Sequence, residues 1–187
     1  MKVIGITGTI GAGKGTVVDY LMKEKGFSHY SVRGFLTREI IRRGMEVNRD
    51  SMVVVANDLR ARHSPAYIIE ALYDEAVASG NDCVIESIRT PGEVEALRKA
   101  PHFLLMAVDA DPEIRYQRVV GRGSETDHIN YETFLHNEAR EMDSEDPNHQ
   151  NIRRCIEMAD IVLTNNGTIE ALHRNLERQM ALHHQAK

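Results

Sequence analysis

Residues 8 to 16 read Gly8-Thr9-Ile10-Gly11-Ala12-Gly13-Lys14-Gly15-Thr16, directly after the apolar run Val3-Ile4-Gly5-Ile6. An apolar run, a glycine-rich turn and a helix-forming stretch in that order predict a buried strand, a loop and a helix. Gly8, Gly11, Gly13 and Gly15 let the backbone turn tightly and point successive N–H groups inward, with no Cβ obstructing a polyphosphate. The helix opening near Lys14 adds its positive end, and Lys14 adds a mobile point charge. Gly8, four intervening residues and then Gly13-Lys14 is the P-loop, or Walker A, spacing. Gly8, Thr9, Ile10, Gly11, Ala12, Gly13, Lys14, Gly15 and Thr16 are thus the expected nucleotide-binding residues. The pattern usually puts Ser or Thr straight after the lysine, where the hydroxyl binds magnesium. Here Gly15 intervenes, so Thr16 is placed to touch an inner phosphate and magnesium is left mostly to phosphates and waters.

The 187 residues fit one domain, and 42% hydrophobic content suffices for a core. A net charge of −5 with dispersed basic residues, and 5% aromatic residues with no Trp, argue against a nucleic-acid partner. Cys83 and Cys155 have no metal-ligand spacing and suggest no disulfide framework, as suits a reducing compartment. The first apolar stretch runs straight into the loop, unlike a signal peptide, and no apolar run approaches membrane-spanning length. A soluble, cytoplasmic protein without a membrane partner is expected, its oligomeric state left open.

Short β-rich runs alternate with longer helical patterns, which predicts an α/β three-layer sandwich: a parallel sheet of about five strands flanked by helices, with a helical lid insertion. Strands are expected over residues 2–7, 27–32, 83–85, 103–108 and 159–164. Helices are expected over 14–25, 35–43, 65–79 and 168–180, and from Pro112 on; in 50–62 Met52-Val53-Val54-Val55 could be a strand, but the polar continuation Asn57-Asp58-Leu59-Arg60 favours a helix. Gly26 is the expected C-terminal cap of the first helix. Ser64-Pro65 reads as an N-cap followed by proline at the first helical position, and Asp111-Pro112 likewise. Between about 121 and 151 the chain is polar and lacks core strands, so it reads as a lid; about 31–80 reads as the acceptor-binding segment. His173, His183 and His184 read as solvated surface rather than a metal site.

Several charged constellations fall near strand ends and helix starts. In Val84-Ile85-Glu86-Ser87-Ile88-Arg89, Glu86 and Arg89 would project from the carboxyl edge of the sheet, where α/β proteins bind ligands; a strand-end salt bridge is the alternative. Ser31-Val32-Arg33-Gly34-Phe35-Leu36-Thr37-Arg38 offers Arg33 or Arg38 to a phosphate, or simply an exposed helix charge. Arg115, Arg118 and Arg122 share one helix face just before the expected lid, and Arg140 is a weaker lid candidate. Asp143-Ser144-Glu145-Asp146-Pro147 would repel phosphate and reads as lid exterior.

Gly13-Lys14-Gly15-Thr16 resembles the nucleoside monophosphate kinases, such as adenylate kinase, and residues 1–14 are similar to dephospho-CoA kinase. Both are P-loop small-molecule kinases with a core, a substrate-binding segment and a lid. The resemblance implies ATP and Mg2+ as cofactors and transfer of the γ-phosphoryl group to a small phosphorylated acceptor. It implies that Glu86, in place of the commoner Asp, positions the magnesium hydration shell and that Arg89 holds the acceptor phosphate. Gly34 and Arg38 match the acceptor-binding helix start, with Phe35 at its usual Asp position. Lys14, Arg118 and Arg122 would neutralise the transferring group. Asn165-Asn166-Gly167-Thr168 resembles the segment bordering the adenine pocket of dephospho-CoA kinase, which assigns Asn166 and Gly167 to the nucleotide. Arginines on two separate segments favour a nucleoside or deoxynucleoside monophosphate acceptor, with dephospho-CoA as the alternative. A nucleotide-binding regulator or slow NTPase is the alternative of another class.

Overall fold

Strand β1 (Val3–Gly8) is buried along its whole length and forms the middle of a parallel sheet. The computed structural model describes residues 1–122, 129–146 and 149–185. β1 pairs on one side with β3 (Cys83–Glu86) and on the other with β4 (Phe103–Asp109). β2 (Ser28–Ser31) lies outside β3 and β5 (Ile161–Thr164) outside β4, giving the order β2-β3-β1-β4-β5. Parallel strands need crossover connections, here carried by helices packed on both faces.

The period of two along each strand divides the core into two layers. Cys83, Ile85, Phe103 and Leu105 face a cluster built with α2 (Val32–Arg42), α3 (Arg49–Arg62), α4 (Tyr67–Ser79), α5 (Pro91–Leu97) and α8 (Ile152–Glu157). Ile4, Ile6, Val84, Met106 and Val108 face α1 (Lys14–Lys25) and α9 (Ile169–Gln185). The central strands therefore read as continuous apolar runs, since both of their faces are covered.

α1 has its expected bounds and ends on Gly26 at φ 72°. α2 starts three residues before the expected Phe35, because the Ser31 hydroxyl caps it by accepting from Gly34 N. Ser64 is not a helix cap: α4 begins at Tyr67, whose N–H donates to Ser64 O in a turn, while the Ser64 hydroxyl bonds Glu70. α5 was not anticipated, although Thr90 and Glu93 form a capping box legible as Thr-x-x-Glu. The last strand starts at Ile161 because Asp160 turns its carboxylate onto the N–H of Leu105.

The expected lid falls partly outside the described residues, as does Pro147. Its described part contains α7 (Tyr131–Met142), which is docked rather than loose. Phe134 is 1% exposed and packs with Tyr116 and Tyr131; Tyr131 also donates to Glu113 of α6 (Pro112–Gly121).

Candidate functional site

At the carboxyl end of β1 the chain turns into the P-loop through conformations closed to most side chains. Gly8 has φ 134°, and a Cβ there would lie 2.0 Å from Val108 O. Gly13 has φ 99°, and a Cβ there would lie 2.4 Å from the Asn165 amide nitrogen. That amide donates to Ala12 O at 2.8 Å and so braces the loop from the end of β5. No side chain caps α1, which leaves the amides of Lys14 and Gly15 for a ligand while those of Thr16 and Val17 donate to Gly13 O. Lys14 Nζ donates to Gly8 O at 2.9 Å and Thr9 O at 2.7 Å. Burial lowers its pKa to about 8, helped by Arg89 and Arg122 and opposed by Glu141 and Glu86.

The loop borders a cavity of about 880 Å³. Lys14, Gly15 and Thr16 form one wall; Glu86, Ser87 and Arg89 from the end of β3 form another. Arg33 of α2, Arg118 and Arg122 from α6 and its end, and Glu141 of α7 complete the charged lining. Arg118 Nη1 is buried without a hydrogen-bond partner, although an unpaired buried donor is costly to leave unmade. The Glu86 carboxyl lies below the ordinary carboxylate range, first because His29, 3.4 Å away, hydrogen-bonds to it. Arg89 Nη1 donates to Gln150 Oε1 at 3.0 Å and lies 3.9 Å from Glu141.

These groups fit a magnesium-bound polyphosphate. A loop that a Cβ would fill, a confined lysine and a buried guanidinium nitrogen lacking a partner all suit an anion. Glu86 and Glu141 are carboxylates of the kind that hold a phosphate-bound magnesium ion through water. Among the described residues, no three His, Cys, Asp or Glu side chains converge on a metal site.

Of the predicted residues, the cavity gathers Gly8, Ile10, Gly11, Gly13, Lys14, Gly15, Thr16, Glu86, Arg89, Arg118 and Arg122. Thr9 and Ala12 are buried behind the loop, Thr9 donating to Asp109 at 2.6 Å. Arg38 does not line the cavity; its guanidinium is engaged by Glu75 at 2.8 and 2.9 Å on the exposed flank of α2. Arg33, the other arginine of that segment, lines it instead. Arg115 is also diverted: 4% exposed, it donates to Ala110 O and Ile10 O and pairs with Glu138. Asn166 and Gly167 lie outside the lining; Asn166 accepts from Asp111 N, and its neighbour Asn165 is the residue that reaches the loop. Arg140 is exposed and outside the lining, whereas the adjacent Glu141 enters it. Glu141 and Ser87 carried no sequence signal of their own, since only helix phase and a backbone turn direct them inward. Ser87 adopts φ 69°, a left-handed conformation that costs a non-glycine residue about 1 kcal/mol.

Residues 4–147 match the family model described as AAA domain. A UPF0200 protein of Pyrobaculum aerophilum is 32% identical over 144 residues, covering 76% of this chain and 78% of the relative. A UPF0200 protein of Methanococcus vannielii is 29% identical over 179 residues, covering 94% and 93%. Among solved structures, TT1252 from Thermus thermophilus is similar with TM-score 0.64 at 23% identity over 96% of each chain. Shikimate kinase from Aquifex aeolicus is similar with TM-score 0.58 at 12% identity over 98% of each chain. At these identities the likeness is one of fold, that of the P-loop kinases.

Proposed function

This chain belongs to the AAA domain family and to the UPF0200 family, and on that premise we propose that it is an ATP-dependent phosphotransferase acting on a small phosphorylated acceptor. The observation that carries the reading is the buried, unpartnered Arg118 Nη1 in a cavity that also holds Lys14, Arg33, Arg89 and Arg122. So many cations converging on one uncapped helix start suit two phosphate groups better than one.

The P-loop amides and Lys14 hold the β and γ phosphates, and Arg33 and Arg89 hold the acceptor's phosphate. An acceptor phosphate oxygen attacks the γ phosphorus, and the bond from that phosphorus to the β–γ bridging oxygen breaks, releasing ADP. Arg118 and Arg122 balance charge on the transferring group, so the rate comes from positioning and electrostatics rather than a covalent nucleophile. Bound magnesium would supply further charge neutralisation at the β and γ oxygens. Arginines on two separate elements favour a nucleoside or deoxynucleoside monophosphate as acceptor.

ADP release from magnesium–ATP, measured across a panel of nucleoside monophosphates and dephospho-CoA, tests the reading. Turnover is expected only with an acceptor present. Lys14→Ala is expected to lose about 3 kcal/mol of transition-state stabilisation, roughly a hundredfold in rate. ATP hydrolysis at one rate with or without every acceptor would instead identify an NTPase. Failure of the wild type to bind magnesium–ATP would end the phosphotransferase reading.

A further inference from the structure

The segment that leaves β3 turns at Ser87, the one cavity-lining non-glycine residue with positive φ among the described residues. The turn is fixed from both sides, on one by Glu86, which pairs with Ile6 in the sheet. Ile88, 1% exposed, is anchored in the core, its N–H donating to Ile6 O at 3.2 Å and its carbonyl accepting from the Thr7 hydroxyl at 2.8 Å. Those bonds let Glu86 and Arg89 both reach the cavity while the residue between them and the core absorbs the reversal. Glycine would make the same turn without strain, and asparagine or aspartate would relieve it through a local side-chain bond. Serine does neither here: its hydroxyl makes no hydrogen bond among the described residues. A strained residue with an unused polar group at a site wall marks a side chain kept for a ligand.

We propose that the Ser87 hydroxyl is a substrate contact that helps select the acceptor, donating a hydrogen bond to the phosphate that Arg89 holds. The inference rests on the phosphotransferase reading and adds to it a recognition element on the acceptor side of the cavity. A hydroxyl donor and a guanidinium lining one cavity favour a phosphate ester over an uncharged hydroxyl compound, because the phosphate offers anionic oxygens to both and balances the guanidinium's charge.

The test uses the full chain, with magnesium present, and two probes measured by titration calorimetry. ATP occupies the P-loop side alone; diadenosine pentaphosphate carries its phosphate chain across to the acceptor side. The wild type is expected to bind the pentaphosphate more tightly than ATP. Ser87→Gly and Ser87→Ala are expected to bind ATP as the wild type does and to lose about tenfold in pentaphosphate affinity, the scale of one hydrogen bond to a charged group. Ser87→Gly releases the backbone strain, so its Tm is expected at or above that of the wild type, which separates lost recognition from a damaged fold. Equal pentaphosphate affinity in all three proteins would overturn the inference, as would a wild type that binds the pentaphosphate no more tightly than ATP. A wild type that binds neither probe would remove the phosphotransferase reading, and this inference with it.

Discussion

Lys14 is confined by groups that solvate its ammonium without neutralising it. Burial, with Arg89 and Arg122 nearby, lowers its pKa from 10.5 to about 8 against the pull of Glu141 and Glu86. The folded value lies below the unfolded one, so below about pH 8 the protonated lysine weakens the fold in full. Between about 8 and 10.5 unfolding takes up a proton, and this contribution to stability recovers as pH rises. A bound polyphosphate favours the ammonium and reverses the shift. Binding of magnesium–ATP near about pH 8.5 is therefore expected to take up protons, read as different calorimetric enthalpies in two buffers of unlike ionisation enthalpy. Lys14→Met should abolish the difference, and equal enthalpies for the wild type would show that Lys14 does not titrate on binding. At this scale the loop was legible because its glycines and lysine act through local backbone geometry. Arg38 was misplaced because its partner Glu75 lies on α4, and no local pattern announces which of two nearby arginines will find a carboxylate on another helix.

The arginine stripe of α6 shows how an element divides its side chains between structure and site. Arg118 and the adjoining Arg122 line the cavity, while Arg115 turns inward to brace the β4–α6 turn, the P-loop carbonyl of Ile10 and Glu138 of α7. Phe134 also lies under the Arg115 guanidinium, so α6 and α7 form one docked pair. Glu138→Leu would leave the buried Arg115 charge with only the more exposed and more distant carboxylate of Asp109, 3.7 Å away, and is expected to destabilise the fold by about 3 kcal/mol in urea unfolding. An unchanged midpoint would mean that Asp109 and the carbonyls of Ala110 and Ile10 suffice for Arg115. The spacing of the stripe predicted a shared face, but which arginine was buried depended on α7, whose docking rests on side chains far along the chain.

Across the whole molecule, two buried thiols report on global opening. Cys83 and Cys155 are each 0% exposed, and burial pushes their thiols up to about 11 and about 12. Near about pH 8 a thiol reagent is expected to label neither in the native protein and both in denaturant, with labelling slowed further by bound nucleotide. Rapid native labelling would reveal local opening of β3 or α8. The parallel sheet, the two covering layers and the P-loop were determined by the sequence alone, because hydrophobic period, glycine placement and helix caps act over neighbouring residues. The company the loop keeps was decided only by tertiary structure. Packing brings Glu86, Ser87 and Arg89 from the end of β3 and the turn after it, Arg33 from α2 and Glu141 from α7 to one cavity, and removes Arg38 and Arg115 from it. Such choices depend on which distant charge or carbonyl each long side chain meets once the sheet has formed, and no periodicity in the chain encodes that meeting.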